Sequence, residues 1–168
     1  FQTARESGDI LFTALLPCKK SDVVRAKYAF CLLIELSGWL LCALLTALRL
    51  TLWQEVPVYT HNAMMNANFA YLGWLLFLFA LFNAVFLGGF FRTAYGLGRP
   101  FIRYCIVGFL TIAAAEALHH FPGMAGMNSQ TGSYGMQLIV LAAGALLFVL
   151  LTAVSCRTAC RHFERIDL

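Results

Sequence analysis

Charge is what this sequence has least of. Lys, Arg, Asp and Glu together make up 12% of its 168 residues, where a soluble domain carries about 25%. Hydrophobic residues fill 61%, against roughly 45–50% in soluble chains. A soluble domain of this length could not hide that much apolar surface without large exposed patches. The chain is therefore read as an integral membrane protein. Its net charge is only +4, and its basic residues follow the ends of apolar runs and do not gather on one face, which gives no support to nucleic-acid binding. The six cysteines, Cys18, Cys31, Cys42, Cys105, Cys156 and Cys160, form no CxxC pair and no metal-ligand spacing. Cys156 and Cys160 stand one helical turn apart but lack third and fourth ligands. A nucleophile–base pair, an HExxH and a phosphate loop are also missing. GLGRP, residues 96–100, is too short for a P-loop and has no Lys. No enzyme activity, bound cofactor or metal is expected of this chain. The polar start FQTARESGD shows no signal peptide, and Phe1 in place of Met implies a processed start or a piece of a longer polypeptide.

What is present is four long apolar runs, at about residues 28–48, 69–91, 101–119 and 134–156. A hydrocarbon core about 30 Å thick needs roughly 20 helical residues, and each run reaches or nearly reaches that length. Unbroken stretches such as LLFLFALFNAVFLGGFF, residues 75–91, must be helical to satisfy their backbone in lipid. Strands of a barrel would alternate over about 10 residues, and these do not. There is no room for a second domain and no obvious repeat, so residues 1–168 read as one transmembrane domain. Lys19, Lys20, Arg25 and Lys27 precede the first span; Arg92, Arg99 and Arg103 flank the second link; Arg157, Arg161 and Arg165 follow the fourth span. With Arg5, eleven of the twelve basic residues fall on one side. The other two links contain no Lys or Arg, and only Arg49 lies near that face. The positive-inside bias then puts both termini in the cytoplasm. The expected fold is an all-α, polytopic membrane bundle of four helices, with Trp53, Tyr59 and Tyr134 in the interfacial belt of the outer links.

Ionisable groups within spans need a partner or a cavity. Glu35 in the first span and Asn83 in the second lie at similar depth, and a hydrogen bond between them would satisfy both. The other reading of Glu35 is a substrate-facing acid or proton carrier, but no second acid or His shares that depth. Near the outer face, Glu116, His119 and His120 form the string EALHH. Glu and His at i,i+3 occur in di-metal bundles, although the further carboxylates such a site needs are missing. An ion pair of Arg49 with Glu116, beside interfacial histidines, is the plainer expectation.

Ahead of the first span runs ESGDILFTALLPCKKSDVVRAKY. Ile10, Leu11, Ala14 and Leu15 recur at helical spacing after Ser7, Gly8 and Asp9, which can start a helix. Leu16 precedes Pro17, where helix is disfavoured, and Asp22 opens the helix that enters the membrane. Such a short amphipathic segment can lie in the lipid interface or dock in a partner's groove.

Glu6, Leu16, Pro17, Lys19, Asp22, Val23, Val24, Lys27 and Tyr28 resemble, in order and spacing, the signature of type 2 ABC transporter permeases, in particular small six-span bacterial ones. FNAVFLGGFFRTAYGLGR, residues 82–99, is similar to that family's segment in which a span with an internal Asn ends in aromatics and a short basic turn. The resemblance implies the permease subunit of an ATP-driven exporter in a bacterial plasma membrane. It implies a coupling helix at residues 8–16 (Asp9, Ile10, Leu11, Ala14, Leu15, Leu16) that docks with Pro17 on a separate nucleotide-binding ATPase. An elbow over residues 17–27, with Lys19, Lys20, Asp22, Arg25 and Lys27, would lead to Tyr28. ATP and Mg would be held by that partner, and a second permease protomer would complete the path. Family members have two more spans ahead of this segment, so a truncated six-span protein is expected. The alternatives are a membrane scaffold without a transport cycle and an intramembrane metalloenzyme built on Glu116, His119 and His120.

Overall fold

The computed structural model describes residues 1–8, 12, 15, 17–60, 62–129 and 134–166. Every regular element among them is helical. A short α1 (Gln2–Glu6) is followed by α2 (Lys20–Leu52), α3 (Pro57–Thr60) and α4 (Phe69–Leu81). A π-helical turn (Phe82–Leu87) carries α4 into α5 (Gly88–Arg92), and then come α6 (Gly98–Leu118), a 3-10 turn (Ala125–Asn128) and α7 (Tyr134–Glu164). Four stretches are long and apolar enough to cross a membrane: Lys20–Leu52, Phe69–Arg92, Gly98–Leu118 and Tyr134–Glu164. They correspond to the four expected spans. The first exceeds its apolar run by about three turns and the fourth by about two, because Lys and Arg carry their charge to water on long apolar stems and so extend helices beyond the hydrocarbon. Most of the expected elbow is thus helix, and the turn is confined to the residues before Lys20.

Exposure along the helices shows which residues meet protein. In α7 the buried positions are Gln137, Gly144, Phe148, Thr152, Ser155, Ala159, Cys160 and Phe163, spaced mostly three or four apart as one helix face requires. The opposite face exposes Ile139, Leu146, Val149, Leu150 and Val154. α2 exposes Phe30, Leu33, Leu40, Leu41 and Leu44, and α6 exposes Phe101, Ile106, Phe109 and Leu110. Such continuous apolar exposure suits lipid and not water.

The chain divides into two compact units. The first holds Phe1–Ile34, Ala80–Gly108 and Val149–Leu168; the second holds Glu35–Phe79 and Phe109–Phe148. The core of the first unit is aromatic. Val24, Tyr28, Leu87, Phe90, Phe91, Tyr95, Ala159 and Phe163 are all buried together. Tyr95 stacks on Phe90 at 4.6 Å between centroids and lies parallel to Phe163 at 5.8 Å. Ala94 and Tyr95 occupy positive φ, at 48° and 68°, which costs about 1–3 kcal/mol per residue. Ring burial at Tyr95 offsets that cost. Early and late segments of the chain are joined in this unit, where Lys20 Nζ donates to the Ile166 carbonyl at 2.6 Å and Cys160 Sγ to the Ser21 carbonyl at 3.7 Å.

The second unit depends on close backbone approach. A Cβ at Gly144 would lie 2.2 Å from the Gly73 carbonyl oxygen, and one at Gly73 would lie 2.5 Å from the Val140 carbonyl oxygen. α4 and α7 therefore meet backbone to backbone, the arrangement that small residues permit in membranes. Trp39 Nε1 donates to the Leu72 carbonyl at 3.1 Å and fastens α2 to α4. Replacing Gly144 with Val should force the two helices apart, at a cost of about 1–3 kcal/mol or more. Thermal melting in detergent should show a loss of several degrees. Gly38, whose added Cβ would meet nothing within 4 Å, should accept Ala with unchanged or slightly raised stability.

Candidate functional site

In the first unit the polar centre forms where the second span departs from α-helical geometry. The π turn redirects the Asn83 carbonyl, which accepts the Gly88 N–H across five residues. The same oxygen accepts from Ser155 Oγ at 2.7 Å and from the Tyr28 hydroxyl at 3.3 Å. The Tyr28 and Ser155 oxygens lie 2.7 Å apart, so two hydroxyl protons are shared among these three contacts. Asn83 Nδ2 donates to Thr152 Oγ1 at 3.2 Å. Gly88 leaves the space: a Cβ there would meet Ser155 Oγ at 2.8 Å. Three spans are joined at one buried backbone oxygen. π turns of this kind often mark functional positions in helices. The described partners are hydroxyls and an amide, groups that can hold helices in position.

The N-terminal segment belongs to the same unit. Phe1 packs edge-on against Phe86 and Phe90 at 5.3 and 5.0 Å, and Lys27 Nζ lies 5.8 Å from the rings of both Phe1 and Tyr95. Arg25 pairs with Asp22 at 3.4 Å on the surface. Of the expected coupling residues, Asp9, Ile10, Leu11, Ala14 and Leu16 lie outside the described residues. Leu15 and its neighbour Phe12 are described, and they are 85% and 65% exposed. Pro17 and Lys19 are exposed as well. Two large apolar side chains thus stand in the open just ahead of the cationic start of α2.

In the second unit the expected ion pair is replaced by contacts to backbone. Arg49 Nη1 donates to the Ala67 carbonyl at 3.1 Å, and its guanidinium lies 5.2 Å from the Tyr59 ring. Glu116 Oε2 accepts the Met65 N–H at 2.9 Å, and His119 Nε2 contacts the Ala63 carbonyl at 3.3 Å. Among the described residues the salt bridge found is Arg25–Asp22, and no group of three metal-binding side chains converges. The rings of His119 and His120 lie 4.0 Å apart, with His119 buried and His120 exposed. Glu116 and His119 thus fasten the link between α3 and α4 to the end of α6. Glu35 is buried in this unit.

Several polar residues that sequence reasoning passes over also take part. Asn68 Oδ1 caps α4 by accepting the Tyr71 N–H at 2.9 Å, while its Nδ2 donates to the Met127 carbonyl at 2.8 Å. Asn128 Oδ1 accepts the Asn66 N–H at 2.8 Å and its Nδ2 donates to the Met64 carbonyl at 3.3 Å. Buried Gln137 donates to the Ser129 carbonyl at 2.9 Å. The N-cap was legible, since Asn one residue before an apolar run is a helix-start signal; the cross-link partners had no local signal. For the first unit, Tyr28→Phe and Ser155→Ala should each lower stability by about 1–3 kcal/mol. The double variant should lose less than the sum of the two, because both hydroxyls serve one network. Melting temperatures of the four proteins in one detergent measure that coupling.

The model of the family described as "ABC-2 family transporter protein" matches residues 3–164. The match includes the N-terminal segment, the π turn and all four spans. No curated protein and no solved structure is matched by the chain.

Proposed function

The chain belongs to the ABC-2 family of transporter proteins, and from that premise we propose that it is the permease of an ATP-driven exporter, coupled through its N-terminal segment to a separate ATPase. Members of this family are membrane components of ABC transporters and not themselves catalytic. The observation that carries the coupling is the exposure of Leu15 and Phe12 immediately before a helix that opens with Lys20 and enters the membrane. Exposed apolar side chains on a cationic, membrane-proximal segment fit a groove on a soluble partner. Lys19, Lys20 and Lys27 can meanwhile meet anionic lipid, at about 1 kcal/mol each.

Eleven of the twelve Lys and Arg residues fall in the first unit together with residues 1–8 and 149–166. That distribution supports cytoplasmic termini in a bacterial plasma membrane. ATP and Mg would bind the partner, whose closure would move the N-terminal segment. The wide apolar faces of α2 and α6 would meet lipid or a second permease protomer, with the path between protomers opening alternately to each side. The aromatic, apolar character of the chain fits amphipathic or lipid-linked cargo.

Co-purification with the products of neighbouring genes in mild detergent tests the coupling. A stoichiometric ATPase should accompany the protein and hydrolyse ATP, and Leu11→Asp with Leu15→Asp should remove it while the permease stays folded. A folded protein that retains no ATPase would refute the coupling and leave a membrane scaffold as the better reading.

A further inference from the structure

Arg49 is the only Lys or Arg in residues 35–79 and 109–148. It is 3% exposed, so its charge does not reach water as that of a snorkelling arginine does. A buried guanidinium is unfavourable unless an anion and hydrogen-bond acceptors surround it. The acids of the same unit are not its partners. Glu116 serves the Met65 amide, Glu55 is exposed, Glu35 lies about 21 Å away along the same helix, and no salt bridge to Arg49 occurs among the described residues. Nη1 is used on the Ala67 carbonyl. Nε and Nη2 have no hydrogen-bond partner among the described residues, and these two donors form one edge of the guanidinium, spaced to grip two oxygens of a single oxyanion. Thr46, one turn earlier on α2 and 1% exposed, has an Oγ1 that is likewise without a partner there.

Arg49 and Thr46 line one cavity of about 270 Å³ together with Cys42, Trp53, Tyr59 and Tyr71. Three donors are thus collected in an otherwise apolar and aromatic pocket, near the end of α2 at Leu52. We infer that this cavity binds a phosphate group, held by the Nε–Nη2 edge of Arg49 and by the Thr46 hydroxyl. Its position beside Trp53, a residue type suited to the headgroup level, admits the phosphate of a lipid or a free phosphate.

Tryptophan emission tests this, since Trp53 lines the cavity. The full chain in neutral detergent would be titrated with inorganic phosphate and, separately, with dioleoylphosphatidylglycerol, with dioleoylglycerol as the phosphate-free control. A saturable response to at least one phosphate probe and none to dioleoylglycerol is expected, and it should disappear in Trp53→Phe. Response to the lipid alone identifies a headgroup site, and response to inorganic phosphate identifies a site for a free anion. Affinity should fall about tenfold or more in Arg49→Gln, as loss of a charge-assisted contact implies, and several-fold in Thr46→Val. Should Arg49→Gln fail to fold, Arg49→Lys keeps the charge but loses the paired donors and should show a similar deficit. No saturable response to either probe overturns the inference. So does wild-type affinity in the folded Arg49 variants.

Discussion

Lipid offers no hydrogen bonds, so each polar atom within a span must find its partner in the protein. The Asn83 carbonyl shows how far that requirement organises the first unit. A π turn displaces this oxygen from the regular helical ladder, and three donors from residues 28, 88 and 155 converge on it. Each is on a different part of the chain, so satisfying one atom aligns α2, the second span and α7. The same geometry demands glycine at position 88, where a side chain would collide with Ser155. Around this polar point the aromatic rings of Phe90, Phe91, Tyr95 and Phe163 enclose the helix ends, and their burial holds the positive-φ turn at residues 94 and 95.

The second unit meets the same requirement with amides where charge is scarce. Its links are joined by Asn66, Asn68 and Asn128, with Glu116 and His119 bonded to backbone and not to cations. An amide side chain both donates and accepts, so one Asn can cap a helix and cross-link a loop at the same time, as Asn68 does. Arg49 and Glu116, expected as an ion pair, each bond to backbone instead.

The four spans and their class were legible because hydrocarbon thickness dictates a run length that composition displays directly. Helix ends were less so: α2 and α7 continue past the apolar runs on Lys and Arg stems that hydropathy scores as polar. The π turn had no legible signal, since FNAVFL is as apolar as its surroundings and its geometry depends on Tyr28 and Ser155 from distant segments. The Gly73–Gly144 approach could be suspected only as a pair of small residues, because the meeting of two helices is not a local property. In the N-terminal segment helical spacing is legible, and the exposure of Phe12 and Leu15 is what the structure adds.

Cationic residues here divide by environment more than by position in the chain. Lys19, Arg25, Arg92 and Arg99 are exposed, where water and lipid phosphate satisfy them and substitution should mainly alter membrane orientation. Arg49 is enclosed by helix and loop, and its ring contact with Tyr59 offsets part of its desolvation. A residue of that kind is unfavourable for the fold unless an anion repays it. Leu or Met at position 49 could fill the same space without the desolvation penalty. A bound anion therefore accounts for a charge at this position where packing alone does not.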